Sequence, residues 1–198
     1  MSLTRIVKID PLSPEESLLY EAADIVKAGG LVIIPTETVY GIAANMLNSK
    51  AIQRLYKIKD RQPSKPFSLH IDNREKVRDY TQDIPICGYK LIDKFWPGPL
   101  TLVFKSKDEN TIGIRLPDHK IAYEVISRAQ VPIVCPSANL AGRPSPTNFE
   151  EAISDLEGLV DLGIDAGATR LGIESTVVDL TTKPLRILRE AAISLRVG

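Results

Sequence analysis

Cysteine is scarce in this chain, and its scarcity removes two classes of protein at once. Cys87 and Cys135 are the only cysteines among 198 residues, so there is neither a disulfide framework nor a cysteine-based metal-ligand spacing. Long apolar runs are missing as well. No stretch approaches the roughly 18 apolar residues of a membrane-spanning helix, and the N-terminal MSLTRIVKID lacks the apolar core of a signal peptide. A reduced, cytoplasmic location is therefore expected. Charge of one sign is not in excess: 25 basic residues balance 25 acidic ones, so no global field draws the chain onto nucleic acid or an anionic membrane. Any polyanion site has to be local. Standard motifs also fail, with no dinucleotide glycine signature, nucleophile elbow or two-histidine zinc motif. GATRLGIEST, starting at Gly167, has the two-glycine spacing of a phosphate loop but places Ile173 and Glu174 where lysine and a hydroxyl residue belong. A nucleotide, if bound, must be held by dispersed groups.

What is present is enough apolar material, 43% of the residues, to bury one sizeable core. Repeats, low-complexity tracts and linkers are absent, so residues 1–198 read as a single domain. Ser13, Pro14 and Glu16 resemble a capped helix start, followed by Leu18, Leu19, Ala22, Ile25 and Val26 at helical spacing up to Gly29-Gly30. The apolar run LVII over 31–34 then predicts a buried strand. A second helix is expected after Asn48-Ser49, with Ile52, Leu55 and Tyr56 inward, and it must stop before Pro63. Further along, FSLHI, TLVFK, TIGIRLP, VPIVC, LVDLGID, STVVDL and LRILR predict strands. Helices are expected near EKVRDY, from Pro85 to Trp96, over AYEVISRA, and after a capping box from Thr147 to Glu150. This alternation predicts an α/β fold, a sheet flanked by helices, with TLVFK and TIGIRL paired antiparallel.

Several of these strands end in polar residues. LVIIP runs into Thr36-Glu37-Thr38, FSLHI carries His70, TIGIRLP carries Arg115, and VPIVC runs into Pro136-Ser137-Ala138-Asn139. Singly, such residues cap helices or make turns; together, polar groups at the ends of buried strands converge on a cleft. Lys57, Lys59 and Arg61 would favour a helix C-terminus by about 0.3–1 kcal/mol as a plain cap. A helix ending near Lys59, however, turns Lys59 and Arg61 toward one cleft, with Lys65 following. Arg115 within an apolar strand needs an anion, because an unpaired buried guanidinium costs several kcal/mol. A bound carboxylate or phosphate is favoured here over a structural partner. His70 taken alone fits a satisfied core histidine.

The segments PTETVYGI, KDRQPSKPFSLHI, WPGPLTLVF, IGIRLPDH, PSANLAGRPSPT, GIESTVVD and ILR, in this order over nearly the whole chain, resemble the YrdC-like family of threonylcarbamoyl-adenylate synthases. Its signature, Lys-x-Arg with a later Ser-x-Asn, is matched by Lys59, Arg61, Ser137 and Asn139. The resemblance implies a twisted mixed α/β sheet with a deep concave cavity. It implies synthesis of threonylcarbamoyl-AMP and pyrophosphate from L-threonine, bicarbonate and ATP with Mg²⁺, no protein side chain being expected to ligate the metal. That product feeds the N6-threonylcarbamoyl modification of tRNA through a downstream threonylcarbamoyl transferase. Carried over residue by residue, the resemblance implies threonine binding by Thr38, His70, Arg115, Cys135 and Ser175. It implies ATP binding by Arg61, Lys65, Thr111, Ser137, Asn139, Ser145 and Arg189, and catalysis by Lys59 and Arg61. The chain departs from the family at Cys135, where relatives often have threonine, and at Glu190-Ala191, where Pro-Gly is usual after the arginine. Longer relatives carry an additional C-terminal domain.

Two other readings compete. Cys135 paired with His70 would make a thiol acyltransferase or hydrolase, although no residue is marked to orient the histidine. A module binding double-stranded RNA or ribosomes through a local basic patch is the alternative from the same fold, and would show salt-dependent RNA binding without ATP consumption; for the synthase itself the partner expected besides small molecules and the transferase is a tRNA or double-stranded RNA contact.

Overall fold

The computed structural model describes residues 3–108 and 110–195. Along the chain it forms β1 (Arg5–Lys8), α1 (Glu16–Lys27), β2 (Val32–Ile34), β3 (Gly41–Asn45), α2 (Ser49–Ile58) and β4 (Leu69–His70). A 3₁₀ turn over Arg74–Lys76 leads into α3 (Val77–Tyr80), then α4 (Ile86–Phe95), β5 (Leu100–Lys105), β6 (Thr111–Arg115), α5 (Lys120–Ala129) and β7 (Ile133–Val134). The chain closes with α6 (Phe149–Leu156), β8 (Leu162–Asp165), β9 (Thr176–Asp179) and β10 (Arg186–Arg189). The strands make one ten-stranded mixed sheet in the order β1-β8-β2-β3-β7-β4-β6-β5-β9-β10. As expected, β5 and β6 are antiparallel, with Leu102 opposite Ile114.

The two halves of this sheet are covered differently, and side-chain alternation shows how. In β2, Val32 and Ile34 point into a core shared with Leu19 and Val26 of α1 and Val125 of α5, while Ile33 points into a second core with Leu55 of α2 and Phe149 of α6. Both faces are buried, which is why the strand reads as a continuous apolar run. In the other half, Leu100, Leu102, Phe104, Ile114 and Val178 point to one side, against Ile92 and Trp96 at α4. Their alternates Thr101, Val103, Gly113, Arg115 and Val177 line a cavity on the opposite side. The site is thus the uncovered face of half a sheet.

Several local expectations need correction. Ser13 caps nothing: α1 begins at Glu16 with Glu15 as N-cap, and Glu15 instead accepts a hydrogen bond from Ser17 Oγ at 2.8 Å. The box at the start of α6 is displaced by one residue. Asn148 is the N-cap, accepting from Glu151 N at 2.9 Å, and Glu151 rather than Glu150 reaches back to Thr147 N at 2.7 Å. The strands in FSLHI and VPIVC shorten to two residues each, while β1 and β3 were not expected. Asn48 does cap α2, accepting from Ala51 N at 3.0 Å. That helix buries Ala51, Leu55 and Ile58, leaving Ile52 and Tyr56 half-buried at its edge.

Candidate active site

The cavity has a volume of about 540 Å³ and lies where β2, β4, β6, β7 and β9 end or pass. Its walls come together by close backbone approach at two glycines. A Cβ on Gly41 would sit 2.4 Å from Cys135 Sγ, and one on Gly113 would sit 2.7 Å from Ser68 Oγ. At these positions a side chain would close the space.

Thr36, Glu37 and Thr38 end β2 and are buried at 2%, 1% and 0% exposure. Thr36 Oγ1 donates to Val39 O at 2.7 Å, accepts from Thr38 N and Val39 N at 3.2 and 3.3 Å, and lies 2.9 Å from Thr38 Oγ1. Thr36 therefore builds the turn that aims Thr38 into the cavity. Glu37 turns the other way, bringing Oε1 to 2.7 Å from Arg115 Nη2. This corrects the expectation for Arg115: its partner is a protein carboxylate, not solely a ligand. The contact is close but not aligned, because neither the carboxylate oxygens of Glu37 nor Arg115 Nη2 completes a directed hydrogen bond. The guanidinium is charge-compensated and still has donors to offer the cavity.

His70 is buried beside Arg115, and burial pushes its pKa down to about 3, with the neighbouring guanidinium adding to the shift. The ring is neutral at physiological pH. Its Nδ1 lies 3.4 Å from Ser68 O, which assigns the proton to Nδ1 and leaves Nε2 as an acceptor. Burial pushes the Cys135 thiol up to about 12. A thiol that burial keeps protonated and a histidine that burial keeps neutral, both lining the cavity, do not favour a thiolate–imidazolium pair, which weighs against the thiol-nucleophile reading. Ser175 Oγ meets Thr101 Oγ1 at 2.9 Å across β9 and β5.

The basic segment folds as its spacing requires. Helix α2 ends at Ile58, Asp60 takes a left-handed φ of +40°, and Lys59, Arg61 and Lys65 all line the cavity. Lys59 is consumed locally. Its Nζ lies 3.0 Å from Ser137 O and 2.8 Å from both Asn139 O and Asn139 Oδ1, with Ser137 Oγ at 3.4 Å. Burial pushes its pKa down to about 8. Arg61 is exposed, donates to Lys65 O at 2.6 Å and Pro66 O at 2.9 Å, and stacks with Cζ 5.0 Å from the Phe67 ring centroid.

All five residues expected at threonine, Thr38, His70, Arg115, Cys135 and Ser175, line this one cavity. Of the nucleotide set, Arg61, Lys65, Thr111, Ser137 and Arg189 line it as well. Asn139 stands behind Lys59, and Ser145 reaches the wall through Glu174, to which it donates at 2.6 Å. Despite the Glu190-Ala191 departure, Arg189 is anchored by its Nε to Ser175 O at 2.9 Å. Residue-by-residue reading assigned no role to Glu37, Thr101 or Glu174. The period-two alternation of TLVFK would have put Thr101 and Val103 on the face opposite the apolar core.

A family model described as Sua5_yciO_yrdC, telomere recombination, matches residues 24–191. A threonylcarbamoyl-AMP synthase from Pyrococcus abyssi (strain GE5 / Orsay) is 39% identical over 91% of this chain and 56% of its own length. One from Bacillus subtilis (strain 168) is 36% identical over 93% of this chain and 56% of its own length. The crystal structure of P. abyssi Sua5 complexed with L-threonine superposes with a TM-score of 0.90 at 38% identity, covering 95% of this chain and 58% of that one. The chain thus spans little more than half the length of these relatives.

Proposed function

The chain belongs to the Sua5/YciO/YrdC family, and from that premise we propose that it is a nucleotidyltransferase making threonylcarbamoyl-AMP and pyrophosphate from L-threonine, bicarbonate and ATP. The observation that carries the reading is the convergence of Thr38, His70, Arg115, Cys135 and Ser175 with Arg61, Lys65, Thr111, Ser137 and Arg189 on one cavity. A cavity that gathers hydroxyls and a buried guanidinium beside several exposed cations suits an amino acid next to a polyanion. The P. abyssi structure with L-threonine supports the amino-acid half.

The reaction follows from what these residues are able to do. Threonine's amine and bicarbonate give a carbamate and water; a carbamate oxygen then attacks the α-phosphorus of ATP and pyrophosphate leaves. Arg115, compensated by Glu37 yet with donors to spare, takes the threonine carboxylate. Neutral His70 accepts at Nε2 from the ammonium or hydroxyl of threonine. Arg61 and Lys65 take the phosphates and oppose the charge that grows in the transition state. Lys59 acts at one remove: it fixes the Ser137–Asn139 loop, so that Ser137 presents its hydroxyl to the nucleotide.

Among the described residues no group of three or more His, Cys, Asp or Glu side chains could hold a metal. The sole acidic residue among those lining the cavity, Glu174, is already held by Ser145 and Arg189. In this reading Mg²⁺ enters on the triphosphate, whose oxygens suit a hard cation. No helix among the described residues is long and apolar enough to cross a membrane. A single functional domain over 1–198, a cytoplasmic location, delivery of product to a threonylcarbamoyl transferase complex and a passing tRNA contact complete the proposal. Incubating the protein with ATP, L-threonine and bicarbonate should release pyrophosphate and threonylcarbamoyl-AMP; pyrophosphate release that persists when either threonine or bicarbonate is omitted would refute it.

A further inference from the structure

Against five cationic side chains lining the cavity, Lys59, Arg61, Lys65, Arg115 and Arg189, stands one carboxylate, Glu174. It does not face empty space. Glu174 Oε1 accepts from Ser145 Oγ at 2.6 Å, and Oε2 forms an ion pair with Arg189 Nη1. Arg189 is fixed on its other side by Ser175, whose carbonyl accepts from Nε at 2.9 Å and whose hydroxyl lies 3.2 Å from Nη2. A carboxylate bridging the Ser145 hydroxyl and Arg189 Nη1 uses donors that a phosphate would use, since hydroxyl and guanidinium hydrogens serve either anion.

We propose that Glu174 is an internal anion that holds Ser145 and Arg189 in phosphate-binding geometry while the cavity is empty, and that a nucleotide phosphate displaces it. The inference rests on the nucleotide-binding reading and extends it. Exposure makes the exchange feasible: the Glu174 and Arg189 side chains are 34% and 42% exposed, so the pair is screened and easily parted. The Glu37–Arg115 pair, at 1% and 6%, is not. Because Arg189 also holds Ser175, the exchange occurs at the boundary between the amino-acid and nucleotide halves.

Titration calorimetry with ATP, in EDTA so that no divalent ion takes part, tests this directly. Glu174→Gln keeps the side-chain shape but loses the competing charge, and should bind ATP about three- to tenfold more tightly than wild type, a tenfold change being about 1.4 kcal/mol. The gain must depend on Arg189: in an Arg189→Gln background the substitution at 174 should add nothing. Unchanged or weaker binding by folded Glu174→Gln overturns the inference. So does a gain that survives in the Arg189→Gln background, which would be simple repulsion relieved through space. Glu174→Ala, which loses the charge and also the hold on Ser145 and Arg189, covers a failure of the glutamine variant to fold: it should still bind ATP more tightly than wild type, by less than the glutamine variant, and the absence of a gain overturns the inference. A wild-type protein that binds ATP neither in EDTA nor with Mg²⁺ refutes the nucleotide reading itself, and this inference with it; one that binds ATP only with Mg²⁺ keeps that reading and overturns the inference.

Discussion

Lys59 Nζ lies 2.8 Å from both the main-chain and the side-chain oxygen of Asn139, joining the end of α2 to the loop after β7. The two halves of the family signature are therefore one structural unit. An ammonium has three hydrogens, and four oxygens of Ser137 and Asn139 lie within reach of this one. Nothing is left over for a phosphate.

Lys59→Met should consequently lose stability as well as activity. It strands carbonyl and amide oxygens in a half-buried place, at a cost of about 1–3 kcal/mol. Arg61→Ala, which removes an exposed side chain, should lose activity with little change in stability, within roughly 0.5–1 kcal/mol. Thermal unfolding and initial rates of the two variants, compared side by side, check this. Equal melting temperatures would mean that Lys59 does not hold the loop.

The pH dependence has a fixed sign. Burial pushes the Lys59 pKa down to about 8, so the side chain is charged below that value and neutral above it. A neutral amine has one donor fewer, and the grip on Ser137 and Asn139 loosens. The KM for ATP should rise as pH passes about 8, and the variant Lys59→Met should lack that limb. A profile identical in both proteins would assign the ionisation elsewhere.

Much of this was legible in the sequence. Asn48 as cap, Lys59 at the end of α2, and the antiparallel TLVFK–TIGIR pair all follow from local chemistry and alternation. Local reading failed where a tertiary partner decided the outcome. Arg115 looked like a residue awaiting a ligand because its anion, Glu37, lies far back in the chain at the end of another strand. Strand β3 escaped because Gly41-Ile-Ala-Ala-Asn has weak strand propensity and is held by pairing with β2 and β7 on either side. At the start of α6, three neighbouring residues able to cap or accept made the local signal ambiguous by one position.

The buried Glu37–Arg115 pair gives a graded prediction. Glu37→Ala leaves a guanidinium buried without its anion and should destabilise the protein by about 3–5 kcal/mol. Glu37→Gln retains an acceptor for Arg115 and should fold. Without the carboxylate to set its position, Arg115 should bind threonine less well, raising the KM for threonine about tenfold while leaving the KM for ATP near wild type. Equal effects on both would point to general loosening of the fold.

Cys135 separates the synthase from a thiol enzyme most sharply. Its side chain is buried against Gly41 and its pKa is pushed up to about 12, so at neutral pH the sulfur is a protonated wall of the pocket. Cys135→Ser replaces one small neutral group by another, and the rate should stay within about tenfold of wild type, the equivalent of about 1.4 kcal/mol in transition-state binding. A covalent nucleophile would behave otherwise, because a hydroxyl is far harder to ionise and activity would fall by several orders of magnitude. Iodoacetamide at pH 8 should accordingly label exposed Cys87 before Cys135 and leave turnover intact. Rapid inactivation by alkylation at Cys135, together with a folded but dead Cys135→Ser, would put the thiol mechanism ahead of the synthase.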